Sequence, residues 1–203
     1  MAFHTLEIRW FFSGSIPHDF NHWFTSLGES RSVDARVDHY LAGTGPLLGI
    51  KVREGSLEIK QRQQHHGRQD FAPALSGMVE SWTKWRVAIP ADENEAIQQD
   101  RGWLAVEKTR QQYGFTLPEI GDIYVRDPEV FPRNGGGVEL TQINLDLSSW
   151  WTFGIEVFGE PHRLSKILEQ VIDYLVDRSV EFELDAGSSM SYPAWLEHQY
   201  HHR

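Results

Sequence analysis

Strand-like alternation dominates the chain. Over residues 6–12, Leu6, Ile8 and Trp10 occupy one face of an extended segment and Glu7 and Arg9 the other. Comparable segments lie around 36–41, 49–54, 57–62, 79–87 and 103–113, and Gly55–Ser56 reads as a tight hairpin turn between two of them. Residues 138–147 and 151–158 add two more strands, and 180–184 is a further short candidate. Helical spacing is clearest after Pro161, where Leu164, Ile167, Leu168, Val171, Ile172, Leu175 and Val176 form one apolar stripe that must lie on a sheet or barrel. A shorter helix is predicted to open at Ser15–Ile16–Pro17, with Ser15 as N-cap, and to run to about Leu27. An acidic helix is predicted over 92–99, where Asp92 and Glu95 are spaced as a capping box, and a terminal helix over 192–200. The polar stretch 63–77 reads as a long loop, 126–137 as another loop, and 186–191 as a small-residue connector.

Composition narrows this picture. The 203 residues are 40% hydrophobic and 24% charged, an ordinary folded composition with no repeat, low-complexity tract or internal break, so 1–203 is read as one domain. The formal net charge of −10 argues against a general nucleic-acid or anionic-membrane binder, while leaving room for a local basic pocket. The absence of cysteine removes disulfides, thiol nucleophiles and Cys-ligated metals, and fits a cytoplasmic setting. Neither a secretory signal nor an apolar run of membrane-spanning length is visible.

The most informative pattern is a ladder of cations at spacing two inside strand segments: Lys51 with Arg53, Lys60 with Arg62, Lys84 with Arg86, and Lys108 with Arg110. Residues i and i+2 of a strand share a face, ~6.5–7 Å apart. Arg9 extends the ladder from the first strand. In three of the four strands the alternate face is apolar and must point at a core. Two readings stay open on this pattern: a one-sided sheet with its cationic face in water, or a closed barrel with that face inward. The second would set cations against one another at about 4 kcal/mol per close pair in a protein-like dielectric, and so would demand a strongly anionic guest such as a chain of phosphates.

Phosphoryl chemistry normally adds a divalent metal held by carboxylates. The strand-borne candidates are Glu7, Glu139 and Glu156. The histidines offer no convincing ligand set, and no nucleophile elbow, Walker or dinucleotide motif occurs. Gly135–Gly136–Gly137 reads as a hairpin loop and not as a phosphate cradle at a helix start.

The order of these segments resembles the CYTH superfamily, the triphosphate tunnel metalloenzymes, over 6–196. The resemblance is carried by Glu7-Ile8-Arg9 for the opening acidic–basic strand, Asp38-His39-Tyr40-Leu41, the basic hairpins 49–55 and 57–62, Lys108-Thr109-Arg110-Gln111-Gln112-Tyr113, the closing strands 138–146 and 154–159, and Ser191-Tyr192-Pro193-Ala194-Trp195-Leu196. It implies an α+β fold: an eight-stranded antiparallel barrel or tunnel with helices packed outside and the ladder turned inward. It also implies phosphate contacts from Arg9, Lys51, Arg53, Lys60, Arg62, Lys84, Arg86, Lys108 and Arg110, and Mg²⁺ or Mn²⁺ held by Glu7, Glu139 and Glu156 as the catalytic set. The chain departs from the family pattern where carboxylates are expected. Thr5 stands at the first acidic position, Arg9 at a lysine, and Gly154, Phe158, Gln142 and Asn144 where further acids would fall.

Three functions follow as expectations. The first is metal-dependent hydrolysis of a triphosphate-containing substrate, such as tripolyphosphate or a nucleoside or thiamine triphosphate. The second is binding of a polyphosphate or nucleotide by a catalytically degenerate barrel without turnover. The third is an apolar small-molecule binder, suggested by eight tryptophans and opposed by the ladder. The partner in the first two is a small polyanion, not a nucleic-acid polymer or a membrane.

Overall fold

Alternating apolar and polar positions build strands, and here the strands close on themselves. The computed structural model describes residues 2–28, 32–118, 121–126, 132–178 and 182–201. Its strands are β1 (Ala2–Ser13), β2 (Ser32–Leu41), β3 (Leu48–Arg53), β4 (Ser56–Ala72), β5 (Leu75–Ala88), β6 (Trp103–Thr116), β7 (Tyr124–Arg126), β8 (Gly135–Leu145) and β9 (Ser148–Phe158). All pairings between them are antiparallel, in the order β2-β3-β4-β5-β1-β9-β8-β6. A further pairing of β2 with β6, from Ser32↔Gln112 to Leu41↔Trp103, closes the eight strands into a barrel, and β7 pairs with β6 outside the closed set. With α1 (His18–Thr25), α2 (Ala91–Gln99), α3 (Leu164–Val176) and α4 (Tyr192–His201), the arrangement is α+β.

Two apolar clusters hold the barrel and leave its middle free. The larger lies outside the wall made by β1, β9 and β8. Leu6, Ile8 and Trp10 of β1 and Phe153, Ile155 and Val157 of β9 face outward there and are covered by Ile167, Leu168, Val171 and Ile172 of α3 and by Phe20, Trp23 and Phe24 of α1. The aromatic rings interlock, Phe20 against Trp151 at 4.9 Å between centroids and Phe24 against Tyr113 at 5.3 Å. The smaller cluster fills one end of the barrel. Inward-facing Phe11, Tyr40, Leu104, Ile143 and Leu145 meet Trp195 and Leu196 of α4, with Phe11 stacked on Trp195 at 5.0 Å. α4 is thus a plug, and Gly49 of β3 makes room for it, since a Cβ there would lie 3.0 Å from Pro193 Cγ.

Several segments differ from their sequence reading. The stretch 63–77 is not a loop: β4 and β5 run through it as a long hairpin that turns at 73–74. Its polarity reflects an exposed extension with three register irregularities in β4, while Phe71, Ala72, Leu75 and Val79 anchor it to the outer cluster. Gly135–Gly136–Gly137 is strand and not a hairpin loop, because β8 is pressed closely there: a Cβ on Gly135 would collide with Phe115 O and one on Gly136 would meet Glu156 O at 2.9 Å. The first helix begins at His18 with Pro17, not Ser15, as N-cap, and the acidic helix is capped by Pro90 with no side-chain cap bond, so the Asp92–Glu95 box does not form. Of 180–184, residues 180 and 181 lie outside the described residues, and Leu184 makes a single parallel bridge to Leu75. The Glu54–Gly55 turn of the β3–β4 hairpin has φ of +48° and +67°, as a two-residue turn requires. Among the described residues no helix is long and apolar enough to cross a membrane.

Gly77 tests the packing of the outer wall. A Cβ there would lie 2.5 Å from Ile8 Cγ2 and 2.8 Å from Trp10 Cζ2, and Trp10 is pinned by its indole N–H donating to Ser76 O at 2.8 Å. Gly77→Ala is expected to cost about 1–3 kcal/mol, read as a lowered urea midpoint.

Candidate functional site

Cross-strand register decides which residues share the inside. Glu7 pairs with Glu80 and Glu156, Lys60 with Lys84, Lys51 with Glu58, and Asp34 and Arg36 with Arg110 and Lys108, so all of these point to one face. That face is the lumen. A cavity of about 1370 Å³ is lined by Glu7, Arg9, Lys51, Arg53, Lys60, Lys84, Arg86, Lys108, Arg110, Glu139 and Glu156, together with Asp34, Arg36 and Glu58. Tyr192 and Pro193 of the plug line it as well, at the end where α4 packs; Phe3, Arg133, Phe158 and Pro161 line the opposite mouth. Of the residues expected on the basic face, Arg62 alone stands apart. It donates to Glu80 at 2.5 Å and does not line this cavity; its cross-strand partner is Trp82, whose ring has the Lys60 ammonium 4.4 Å above it.

The cations do not face one another bare. Lys60 donates to Glu7, and Lys84 bridges Glu7 at 2.9 Å and Glu156 at 2.6 Å. Arg9 donates to Glu139 at 2.9 Å, and Arg110 reaches both Asp34 (2.8 Å) and Glu139 (3.3 Å). Asp38, with no exposed surface, gathers Arg36 at 3.0 Å, Lys51 at 3.3 Å and Lys108 at 2.9 Å. Glu58 does the same nearer the mouth for Lys51 (3.2 Å) and Arg53 (2.8 Å), with Arg86 at 3.9 Å. The inward set is therefore ten cations (Arg9, Arg36, Lys51, Arg53, Lys60, Arg62, Lys84, Arg86, Lys108, Arg110) and seven carboxylates (Glu7, Asp34, Asp38, Glu58, Glu80, Glu139, Glu156). With every group ionised this is an excess of three positive charges inside a chain whose total is −10, so the rest of the molecule is strongly acidic.

Sequence reasoning put Glu58 on the ladder side, where the structure has it, and missed Asp34, Arg36, Asp38 and Glu80. The signal existed for β2, where Asp34, Arg36, Asp38 and Tyr40 follow the same spacing of two as the ladder. Gly154, which stands where a carboxylate was expected, is explained by Arg9: a Cβ there would lie 2.6 Å from the Arg9 guanidinium carbon, so the absence of a side chain lets Arg9 reach across to Glu139.

Charge states follow from this crowding. Burial pushes the Glu7 carboxyl up, but the ammonium groups of Lys60 and Lys84 together overcome it and hold it well below the usual carboxylate range. Burial works in the same sense on Asp38, where Lys108, Lys51 and Arg36 prevail, and on Glu139, where Arg9 and Arg110 do. Lys84 is displaced upward against its own burial by Glu156 and Glu7. Lys108 goes the other way: it is 5% exposed, donates to Asp38 and to Tyr40 Oη (2.6 Å), lies 4.1 Å over the Tyr192 ring, and burial pushes its amine down to about 7.

A divalent ion would need carboxylate oxygens that are not already engaged. Glu7, Glu139 and Glu156 all reach the lumen, but each already accepts from an ammonium or guanidinium, and Glu139 is engaged by both Arg9 and Arg110. Among the described residues no group of three or more His, Asp or Glu side chains is disposed to hold a metal. As arranged, these residues do not fit a divalent centre. They form a largely internally neutralised pit, and its charged lining does not suit an apolar guest.

No family model matches this sequence, and no curated protein matches it. Among solved structures the chain is similar to the PH1819 protein of Pyrococcus horikoshii OT3, with 15% identity, 98% of this chain and 99% of that chain covered, and a TM-score of 0.45. A likeness that low carries no argument about either fold or function.

Two measurements probe the ion-pair network. Asp38→Ala strands three buried cations and is expected to lose about 3–5 kcal/mol in urea unfolding at neutral pH. Glu7, Asp38 and Glu139 have folded-state pKa values below their unfolded ones, so their contribution is complete above the ordinary glutamate value of 4.5 and is lost as pH falls below it. Unfolding free energy measured down a pH series should fall on the acid side of that value.

Proposed function

We propose that the barrel is a receptor for a small oligoanion, a chain of phosphates such as tripolyphosphate or the triphosphate of a larger molecule, held in the lumen without turnover. The observation that carries this is the excess of cations on the inward face, concentrated around Glu58, where Lys51, Arg53 and Arg86 share one carboxylate near the mouth. Arg86 is half-exposed there and free to swing to a guest, and guanidinium forks match phosphate oxygens. The volume of about 1370 Å³ is ample for such a guest, since small-molecule pockets commonly run to about 300–1,000 Å³. The resemblance to the CYTH superfamily points to the same ligand class.

Metal-dependent hydrolysis is the second reading. It is favoured by one feature, the cross-strand pair Glu7↔Glu156 facing the cavity, and disfavoured by the occupation of those carboxylates by lysines. Binding therefore ranks ahead of catalysis.

Calorimetry with tripolyphosphate should give saturable binding that weakens as salt is raised. Arg53→Ala should reduce affinity by about 10–100-fold, the equivalent of one charge-assisted hydrogen bond. Absence of heat and of any Tm shift with every oligophosphate tried would overturn the proposal. In a phosphate-release assay with Mg²⁺ or Mn²⁺ no turnover is expected, and turnover abolished by Glu7→Gln would establish the hydrolytic reading instead.

A further inference from the structure

We infer that the lumen holds its oligoanion without a divalent metal, the Lys84 ammonium serving between Glu7 and Glu156 as a covalently tethered cation; this rests on the oligoanion reading above. Glu7 and Glu156 are direct cross-strand partners on β1 and β9, and both face the cavity. Side chains so placed start about 4.5–5.5 Å apart at Cβ, and two carboxylates there repel unless a cation lies between them. Lys84 reaches in from β5, the other neighbour of β1, and its Nζ sits 2.9 Å from Glu7 Oε1 and 2.6 Å from Glu156 Oε2. The remaining oxygen of Glu7 accepts from Lys60.

This arrangement does by covalent attachment what a bound ion would do by coordination. A divalent ion would need oxygens at about 2.0–2.6 Å in a shell of six or more. To gain two of them here it would have to expel Lys84 from both carboxylates and remain beside the Lys60 ammonium, which repels it. An ammonium carries three donors. Two of those on Lys84 are spent on Glu7 and Glu156, and the side chain keeps 28% of its surface open to the cavity, so the third donor is available to a phosphate oxygen. Lys84 can then link the carboxylate pair to the guest, the bridging position of a metal in a carboxylate–metal–phosphate site.

The test uses the whole chain and tripolyphosphate as the probe, titrated calorimetrically in EDTA and again with excess Mg²⁺. Saturable binding in EDTA that Mg²⁺ does not tighten is the expected result. Binding seen only with Mg²⁺ would overturn the inference and leave the oligoanion reading standing. No binding in either buffer would overturn that reading and the inference with it. Lys84→Met should weaken binding in EDTA by about tenfold or more, the loss of one charge-assisted contact, and unchanged affinity would remove Lys84 from the role. A readout on the wild type avoids any folding defect of that variant: the paramagnetic resonance of free Mn²⁺ should persist at stoichiometric protein, and its stoichiometric loss would overturn the inference.

Discussion

Charge placed inside a closed barrel has to be answered by charge from a neighbouring strand, and the rest of this molecule is arranged around that requirement. Ten cations turn inward when β2 pairs with β6, and separated from bulk water they would force the wall apart. The chain meets this with carboxylates, most of which serve two or three partners. Asp38 neutralises part of Arg36, Lys51 and Lys108; Glu58 works on Lys51, Arg53 and Arg86; Glu7 takes Lys60 and Lys84. Sharing leaves a small positive residue in place of a large one. The lumen's charges can therefore be close to balanced by the chain's own residues.

Ion pairs of this kind contribute specificity more readily than stability, because desolvating both partners offsets much of their attraction. The folding energy comes from elsewhere. α1 and α3 bury the outer aromatic wall of β1 and β9, and α4 drives Trp195 and Leu196 into one end against Phe11 and Tyr40. Because both apolar clusters avoid the middle of the barrel, the charged face is held rigid from behind and from one end. The remaining mouth is the way in, and it carries arginines and aromatic side chains. The exterior is acidic, since the chain as a whole carries a formal charge of −10 around an inward face that is net basic.

Close backbone approach shapes the wall as much as side-chain choice does. Gly154 clears the path of the Arg9 guanidinium to Glu139, and Gly135 and Gly136 let β8 press against Phe115 and Glu156. At Gly154 the missing side chain thus has a local reason: the Arg9 guanidinium lies over the strand there. With Lys84 clamped between Glu7 and Glu156, cations of the chain itself stand among the acids that remain.

By itself the sequence determined what period-two and period-3.6 patterning can encode. The outward faces of β1 and β9, the stripe on α3, the Gly55 hairpin and the common face of Lys51, Lys60, Lys84 and Lys108 were all legible, because each depends on neighbours a few residues apart. Where that common face points was decided only by the tertiary structure. Barrel closure rests on β2 meeting β6, some seventy residues apart, and no local period reports such a pairing. The same holds for the partners of the charges. Lys108 reaches Asp38 from another strand, Arg9 reaches Glu139 across 130 positions, and Arg62 pairs with Glu80, since these distances are set by register and shear. The polar hairpin over 63–77 and the glycine run of β8 were misread for a related reason: their strand character comes from the surfaces they are pressed against, and those surfaces are assembled only in the fold.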